Sequence, residues 1–254
     1  MRDDICNIVE NIQIQGEYYL LKIHSEYISA RAIPGNFIMI STSSAMEPLL
    51  KRPFGIFETD PPYIWIYYQV VGKGSRLVSE LKSGDKISVL GPLGNSFPPV
   101  TNQSILMIAG GRGIAPIHFA IKKYQKENKI SLIYGARSKH DLNLLDLLKP
   151  LTLQVLLLYS DDGSIGKRGN VATDLRKTIQ KSGISITFSC GPDNMFKNIY
   201  QVTRELKTRD YASLEALMGC GFGICYSCVI QTRKSGYQKV CTDGPIFDMD
   251  EIAW

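Results

Sequence analysis

Long apolar runs are missing from this 254-residue chain. The stretch from Leu151 to Tyr159 is too short to cross a bilayer and carries Gln154, so no membrane-spanning segment is expected. Basic residues do not gather either. The net charge is +5, with no Lys/Arg run dense enough for a nucleic-acid surface; at most it favours an acidic partner or an anionic cofactor. The amino terminus, Met1-Arg-Asp-Asp-Ile5, opens on charge without the apolar core of a signal peptide. A reducing cytoplasm is the expected location. Histidine is scarce. His24, His118 and His140 are scattered and expected at surface or boundary positions, and no Ser-His-Asp or Cys-His set is present for nucleophilic catalysis.

What the chain does have is a concentration of cysteine near its end. Four of its six cysteines fall at Cys220, Cys225, Cys228 and Cys241, in the C-x4-C-x2-C…C order of plant-type 2Fe–2S sites. Gly219, Gly221 and Gly223 interleave them and let the backbone approach a cluster closely and aim its amides at it. Cys241 returns from a turn marked by Asp243-Gly-Pro245. A four-cysteine zinc site is the alternative, although zinc knuckles space their ligands as more even C-x2-4-C pairs. Disulfides would need a secreted chain. A chance cluster of buried thiols is the blandest reading.

Residues 5 to 99 alternate apolar and polar side chains in short runs broken by Gly16, Pro34-Gly35 and Ser83-Gly-Asp85, and Tyr63 to Val71 is rich in aromatic and β-branched residues. Such spacing predicts a small antiparallel β-barrel. Two segments there can hold an anionic ligand: Arg52-Pro-Phe-Gly55, with a guanidinium on a proline-fixed extended backbone, and Gly72-Lys-Gly-Ser75, before an amphipathic stretch. The plain alternative is a surface arginine and a glycine turn.

From residue 101 the pattern changes. Ser104 to Ala109 is a continuous apolar strand, followed by Gly110-Gly-Arg-Gly-Ile-Ala-Pro116 and a helical stretch from Ile117. Strands at 130–137, 153–159 and 184–189 alternate with helices at 141–148, 171–181 and from Cys190-Gly-Pro-Asp-Asn-Met195 to about Lys207. This alternation predicts a parallel α/β sheet. The glycine turn between strand and helix suits a phosphate-bearing ligand, although it is not G-x-G-x-x-G. Cys190, at a strand end, either touches that ligand or fills a tight turn.

Barrel, α/β domain and cysteine loop together resemble the ferredoxin–NADP reductase superfamily, and within it the electron-transfer subunit of class 1B dihydroorotate dehydrogenase. The likeness rests on Arg52-Pro-Phe-Gly-Ile56, Gly72-Lys-Gly-Ser75, Ala109 to Pro116, Cys190 to Met195 and Val240-Cys-Thr-Asp-Gly-Pro-Ile-Phe247. It implies three domains: an FAD-binding β-barrel over 1–100, an NAD-binding α/β domain over 101–211 and a 2Fe–2S domain over 212–254. It implies FAD at Arg52, Pro53, Phe54, Gly55, Tyr67, Tyr68, Gln69, Gly74 and Ser75. NAD is implied at Gly110, Gly111, Gly113, Pro116, Cys190, Gly191, Pro192 and Met195, and the cluster at the four cysteines. The implied partner is an FMN-bearing dihydroorotate dehydrogenase catalytic subunit of pyrimidine biosynthesis, in a heterotetramer of two copies each. The chain departs from the family pattern at Gly55 for serine, Gln69 for arginine, Ala109 for glycine and Arg112 at a position often apolar. Arg137 ends the second strand where an acidic residue would bind ribose, so the preference for NAD rests on the resemblance. Other clients for the same carriers, a redox sensor and a zinc-stabilised module are the rival readings.

Overall fold

The computed structural model describes residues 1–41 and 48–253. They divide into two compact units: Met1–Ser96 with Glu215–Ile230 and Tyr237–Pro245, and Phe97–Leu214 with Gln231–Gly236 and Ile246–Trp254.

In the first unit, strands β1 (Arg2–Gln15), β2 (Tyr18–His24), β3 (Phe37–Ile40), β4 (Arg52–Gly55), β5 (Glu58–Asp60), β6 (Tyr63–Gln69) and β7 (Lys86–Leu93) form one antiparallel sheet in the order β4-β3-β7-β1-β2-β6-β5. Gly16, at φ +53, makes the turn between β1 and β2 that the sequence marks as a break. Alternation sets the core. Leu21 and Ile23 pair with Ile66 and Ile64, and all four are fully buried; each contributes roughly 1.5–3 kcal/mol. The opposite face of the same strands carries Lys22 against the rings of Tyr63 and Trp65, at 4.4 and 4.7 Å from their centroids. The sheet curls far enough for the Phe54 ring of β4 to meet Tyr68 of β6 edge-on, 5.6 Å between centroids. Helix α1 (Glu26–Ser29) is capped by Ser25, and α2 (Lys73–Ser79) follows β6.

The second unit holds β8 (Ser104–Gly110), α3 (Ile114–Tyr124), β9 (Lys129–Ala136), α4 (Leu145–Leu148), β10 (Val155–Ser160), β11 (Lys167–Arg168), α5 (Leu175–Ser182), β12 (Ile186–Cys190), α6 (Asp193–Leu206) and β13 (Arg209–Ser213). The C-terminal segment adds β14 (Val229–Gln231) and β15 (Tyr237–Lys239), paired with each other, and β16 (Ile246–Asp248). The large sheet runs β11-β10-β9-β8-β12-β13-β16. Every pairing is parallel except that of β16 with β13. The order reverses between β8 and β12, and the crevice beyond their carboxyl ends is where open α/β sheets take ligands.

Several expected helices shrink. The stretch from Val171 starts its helix only at Leu175, because Asn170 Oδ1 accepts from the Ala172 N–H and Thr173 Oγ1 from the Asn170 N–H. Over 141–148 only one α-turn, α4, forms. His118, expected near the surface, is 3% exposed on the inner face of α3. None of the described helices is long and apolar enough to cross a membrane.

Candidate functional site

In the first unit, β4 and α2 bring the two expected anion-binding segments together. A β-carbon added at Gly74 would lie 3.0 Å from both Cγ and Nε of Arg52. The arginine therefore lies along the first turn of α2 in space that only glycine leaves open, and its Nη1 donates to the Leu50 carbonyl at 2.6 Å. The helix begins at Lys73, so Gly74 and Ser75 lie inside its first turn rather than ahead of it. The Ser75 hydroxyl is engaged in capping, accepting from the N–H groups of Val71 (2.9 Å) and Gly72 (3.2 Å). The backbone N–H groups of that turn remain as donors.

Pro53, Phe54 and Gly55 continue along β4, and Tyr67, Tyr68 and Gln69 close β6. Alternation sends the two tyrosines to opposite faces. Tyr67 stacks on Tyr18 at 5.8 Å, whereas Tyr68 stacks on Tyr19 at 5.5 Å and donates to Asn11 Oδ1 at 3.1 Å. A single ligand therefore meets at most one of these two rings directly.

In the second unit, all the expected nicotinamide residues gather at the switch point. Gly110 ends β8; a β-carbon there would lie 2.8 Å from Met195 Sδ and 2.9 Å from Pro192 Cδ. One at Gly113 would lie 2.1 Å from the Cys190 carbonyl oxygen. A β-carbon at Gly191 would lie 2.5 Å from Met195 Cε. Gly111 adopts φ +52 with open space beside it, and Pro116 sits in the first turn of α3 where no N–H is needed. Cys190 is buried at the end of β12. The result is a close packing of backbone on backbone at the start of α3, with open space beside Gly111.

The four cysteines lie in the first unit and fall into two pairs. Cys220 and Cys225 form the more exposed pair. Cys220 Sγ accepts from the peptide N–H groups of Ile224 (3.3 Å), Phe222 (3.5 Å) and Cys225 (3.5 Å), and Cys225 Sγ accepts from the Cys220 N–H at 3.3 Å. Ser227 Oγ lies 3.2 Å from Cys225 Sγ. Burial raises the Cys220 thiol, but these peptide donors outweigh it and hold the thiol below its ordinary value. The Ser227 hydroxyl, followed by its N–H, brings Cys225 down to about 6.

Cys228 and Cys241 form the other pair, each 2% exposed. Burial first, then the neighbouring Cys228 thiol, pushes Cys241 up to about 12. The pair is brought together by the Val240 N–H donating to the Cys228 carbonyl at 3.0 Å. Gly223, at φ +91, lets the two halves of the segment close, since a β-carbon there would meet Thr242 Cγ2 at 2.9 Å. Among the described residues, no three His, Cys, Asp or Glu side chains surround a single ion position. Two thiols in each pair is the donor set a two-iron cluster takes, two per iron.

Spacing alone does not single out Ser227, Asn95 or Met39. Ser227 carries a legible signal, a hydroxyl between two ligands. Asn95 donates its backbone N–H to the Gly244 carbonyl (2.6 Å) and its Nδ2 to the Asp243 carbonyl (2.9 Å), contacts 148 residues apart in sequence for the latter pair. Met39 packs against Gly221. Neither of these two has a local signature.

Comparison with known proteins agrees with this geometry. Residues 215–253 match the iron–sulfur cluster binding domain of dihydroorotate dehydrogenase B, and residues 107–201 match the oxidoreductase NAD-binding domain. The dihydroorotate dehydrogenase B (NAD(+)) electron transfer subunit of Fusobacterium nucleatum subsp. nucleatum is 33% identical, with 99% of each chain covered. The electron transfer subunit homolog of Aquifex aeolicus is 32% identical, with 97% of each covered. A solved structure of NADH-dependent reduced ferredoxin–NADP oxidoreductase, reported for flavin-based electron bifurcation, superposes with a TM-score of 0.87 at 29% identity, over 99% of this chain and 90% of that one. With such identity over nearly its whole length, the chain belongs to the family of dihydroorotate dehydrogenase B (NAD(+)) electron transfer subunits.

Proposed function

We propose that this protein moves electrons between NAD(H), FAD and a 2Fe–2S cluster, to or from the FMN-bearing catalytic subunit of a dihydroorotate dehydrogenase. In this reading FAD occupies the barrel (1–100), NAD the α/β domain (101–211) and the cluster the C-terminal segment (212–254). The assembly is a cytoplasmic heterotetramer of two copies each. The observation that carries it is the pairing of four cysteines, two by two, with peptide N–H groups converging on the exposed pair.

When bound, FAD exchanges a hydride with NAD(H) and the cluster carries single electrons. The chain's own residues bind and orient. Arg52, with the donors of the first turn of α2, would grip the flavin diphosphate, and Pro53 to Gly55 with the backbone of Tyr67 to Gln69, and one of the two tyrosine rings, would flank the flavin. Gly55 has no hydroxyl to offer the ring, so a backbone N–H serves there. Gly110, Gly111 and Gly113 admit the dinucleotide pyrophosphate, with Pro116, Cys190, Gly191, Pro192 and Met195 around it. Peptide donors around Cys220 and the hydroxyl of Ser227 stabilise thiolate ligands. No acid–base residue is needed for hydride transfer.

A second reading keeps the carriers and changes the client to a ferredoxin. The extent of the likeness to the ferredoxin–NADP oxidoreductase structure favours it. The test is a visible spectrum of anaerobically purified protein before and after NADH, with iron and zinc assayed on the same sample. Flavin and iron–sulfur bands that both bleach support the proposal; a colourless, zinc-loaded sample refutes it. Adding the dihydroorotate dehydrogenase catalytic subunit, or a ferredoxin, to the NADH-reduced protein then separates the two clients by which one is reduced.

A further inference from the structure

Strand β3 meets both the Arg52–Gly55 segment and the cysteine segment of the first unit. Along one edge it pairs with the flavin segment, Phe37 opposite Gly55, Ile38 opposite Phe54 and Met39 opposite Pro53. Its side chains also meet both halves of the cysteine segment. Met39 is fully buried, and a β-carbon at Gly221 would lie 2.6 Å from its Cγ and 3.0 Å from its Sδ. Gly221 is the residue after Cys220 and holds φ +80. It opens the turn whose N–H groups wrap the Cys220 sulfur.

Two residues earlier, Phe37 and the Gly244–Pro245 turn both press on Gly94: a β-carbon there would lie 3.1 Å from Phe37 Cε1 and 2.5 Å from Pro245 Cδ. Asn95 fastens the same turn through Gly244 and Asp243. The Cys241 side is thus held by hydrogen bonds from Asn95 to two backbone carbonyls. On the Cys220 side, the contact the structure shows between β3 and the turn is the flexible thioether side chain of Met39, which fills whatever gap is left.

We propose that Met39 is a positioning residue for electron transfer between flavin and cluster: its side chain is the spacer that fixes how closely the Cys220 turn approaches the Arg52–Gly55 strand. The inference rests on the proposed placement of FAD and of the cluster. A hydride brings two electrons to the flavin. They leave singly, each oxidising the flavin and reducing the cluster by one electron, and the cluster discharges the first to the partner before taking the second. The flavin proton goes to solvent. Electron tunnelling falls steeply with separation, so this step feels the spacer, whereas hydride transfer does not.

The test uses the full chain carrying flavin and cluster, rapidly mixed with NADH, and follows flavin bleaching and cluster bleaching as separate phases. Met39→Leu, Met39→Val and Met39→Ala remove bulk by degrees. The expected result is an unchanged flavin phase, a cluster phase accelerated in the order Leu, Val, Ala and by several-fold in the last as the Cys220 turn closes on the strand, and unchanged midpoint potentials and iron content in Met39→Leu and Met39→Val. A cluster phase insensitive to bulk overturns the proposal. So does a parallel change of both phases, or a shift of potential that accounts for the rates. Absence of flavin or iron from the parent protein would instead remove the functional reading itself, and that is seen before any variant is made.

Discussion

The two units build their binding places from different material. In the second, the place is backbone against backbone: Gly113 lies so close to the Cys190 carbonyl that not one extra carbon fits. In the first, the place is side chain against backbone: Arg52 lies over Gly74, and the Phe54 ring stands on Tyr68. A parallel sheet fixes its strand ends through crossover helices, so the place is rigid. A curled antiparallel sheet leaves its ligand to side chains, which can yield.

The sharpest way to break this comparison is Gly113→Ala. Its φ of −58 suits alanine, so only space forbids it. The added carbon meets the backbone of Cys190 and of Gly191, and β8 and β12 must part. We expect a loss of about 3 kcal/mol or more by chemical denaturation, together with loss of NADH binding.

Comparable in size is a pH effect confined to the second unit. Burial, outweighing the hydroxyls of Thr187 and Thr203, pushes the Asp210 carboxyl up to about 7. The folded chain keeps a proton that the unfolded chain gives up near pH 4. The associated stability is fully present below pH 4 and is lost as pH rises through 7, by roughly 4 kcal/mol. Asp210→Asn should flatten that slope in denaturation curves taken from pH 4 to 8; an unchanged slope would show that Asp210 is not its source.

In the first unit the effects are smaller and functional. Arg52→Ala should weaken FAD binding by roughly 1.5–3 kcal/mol, the worth of charge-assisted hydrogen bonds, as measured by flavin release on dilution, with little change in melting. Gly74→Ala should change stability by less than about 1 kcal/mol, since alanine favours the helix and the displaced partner is a flexible arginine. It should still lower flavin affinity, because Arg52 has moved. If Gly74→Ala proves as disruptive as Gly113→Ala, the distinction between the two units fails.

The same distinction governs what could be read from residues alone. The strand–glycine–helix succession at Ser104 to Pro116 is local, so that part of the α/β unit was legible. The cysteine spacing was legible for the same reason. Beyond it, β13 and β16 are three to five residues long and exist because they pair at a sheet edge; no local pattern announces them. The late start of α5 depends on two side chains capturing backbone amides at Asn170 and Thr173. The tyrosines of β6 read as one patch in sequence and separate onto two faces in space. Met39 looks like any core residue of a strand until Gly221, far along the chain, is found lying on it.

The pairing of β13 with β16 has a consequence for how such a chain can be rebuilt. Ser213 stands opposite Ile246, so the intervening residues depart from the parallel sheet and rejoin it at adjacent positions. That excursion contains all four cluster cysteines. It has the form of a cassette: a short linker from Ser213 to Ile246 would restore the sheet without it, and another redox loop could be spliced between the same two residues.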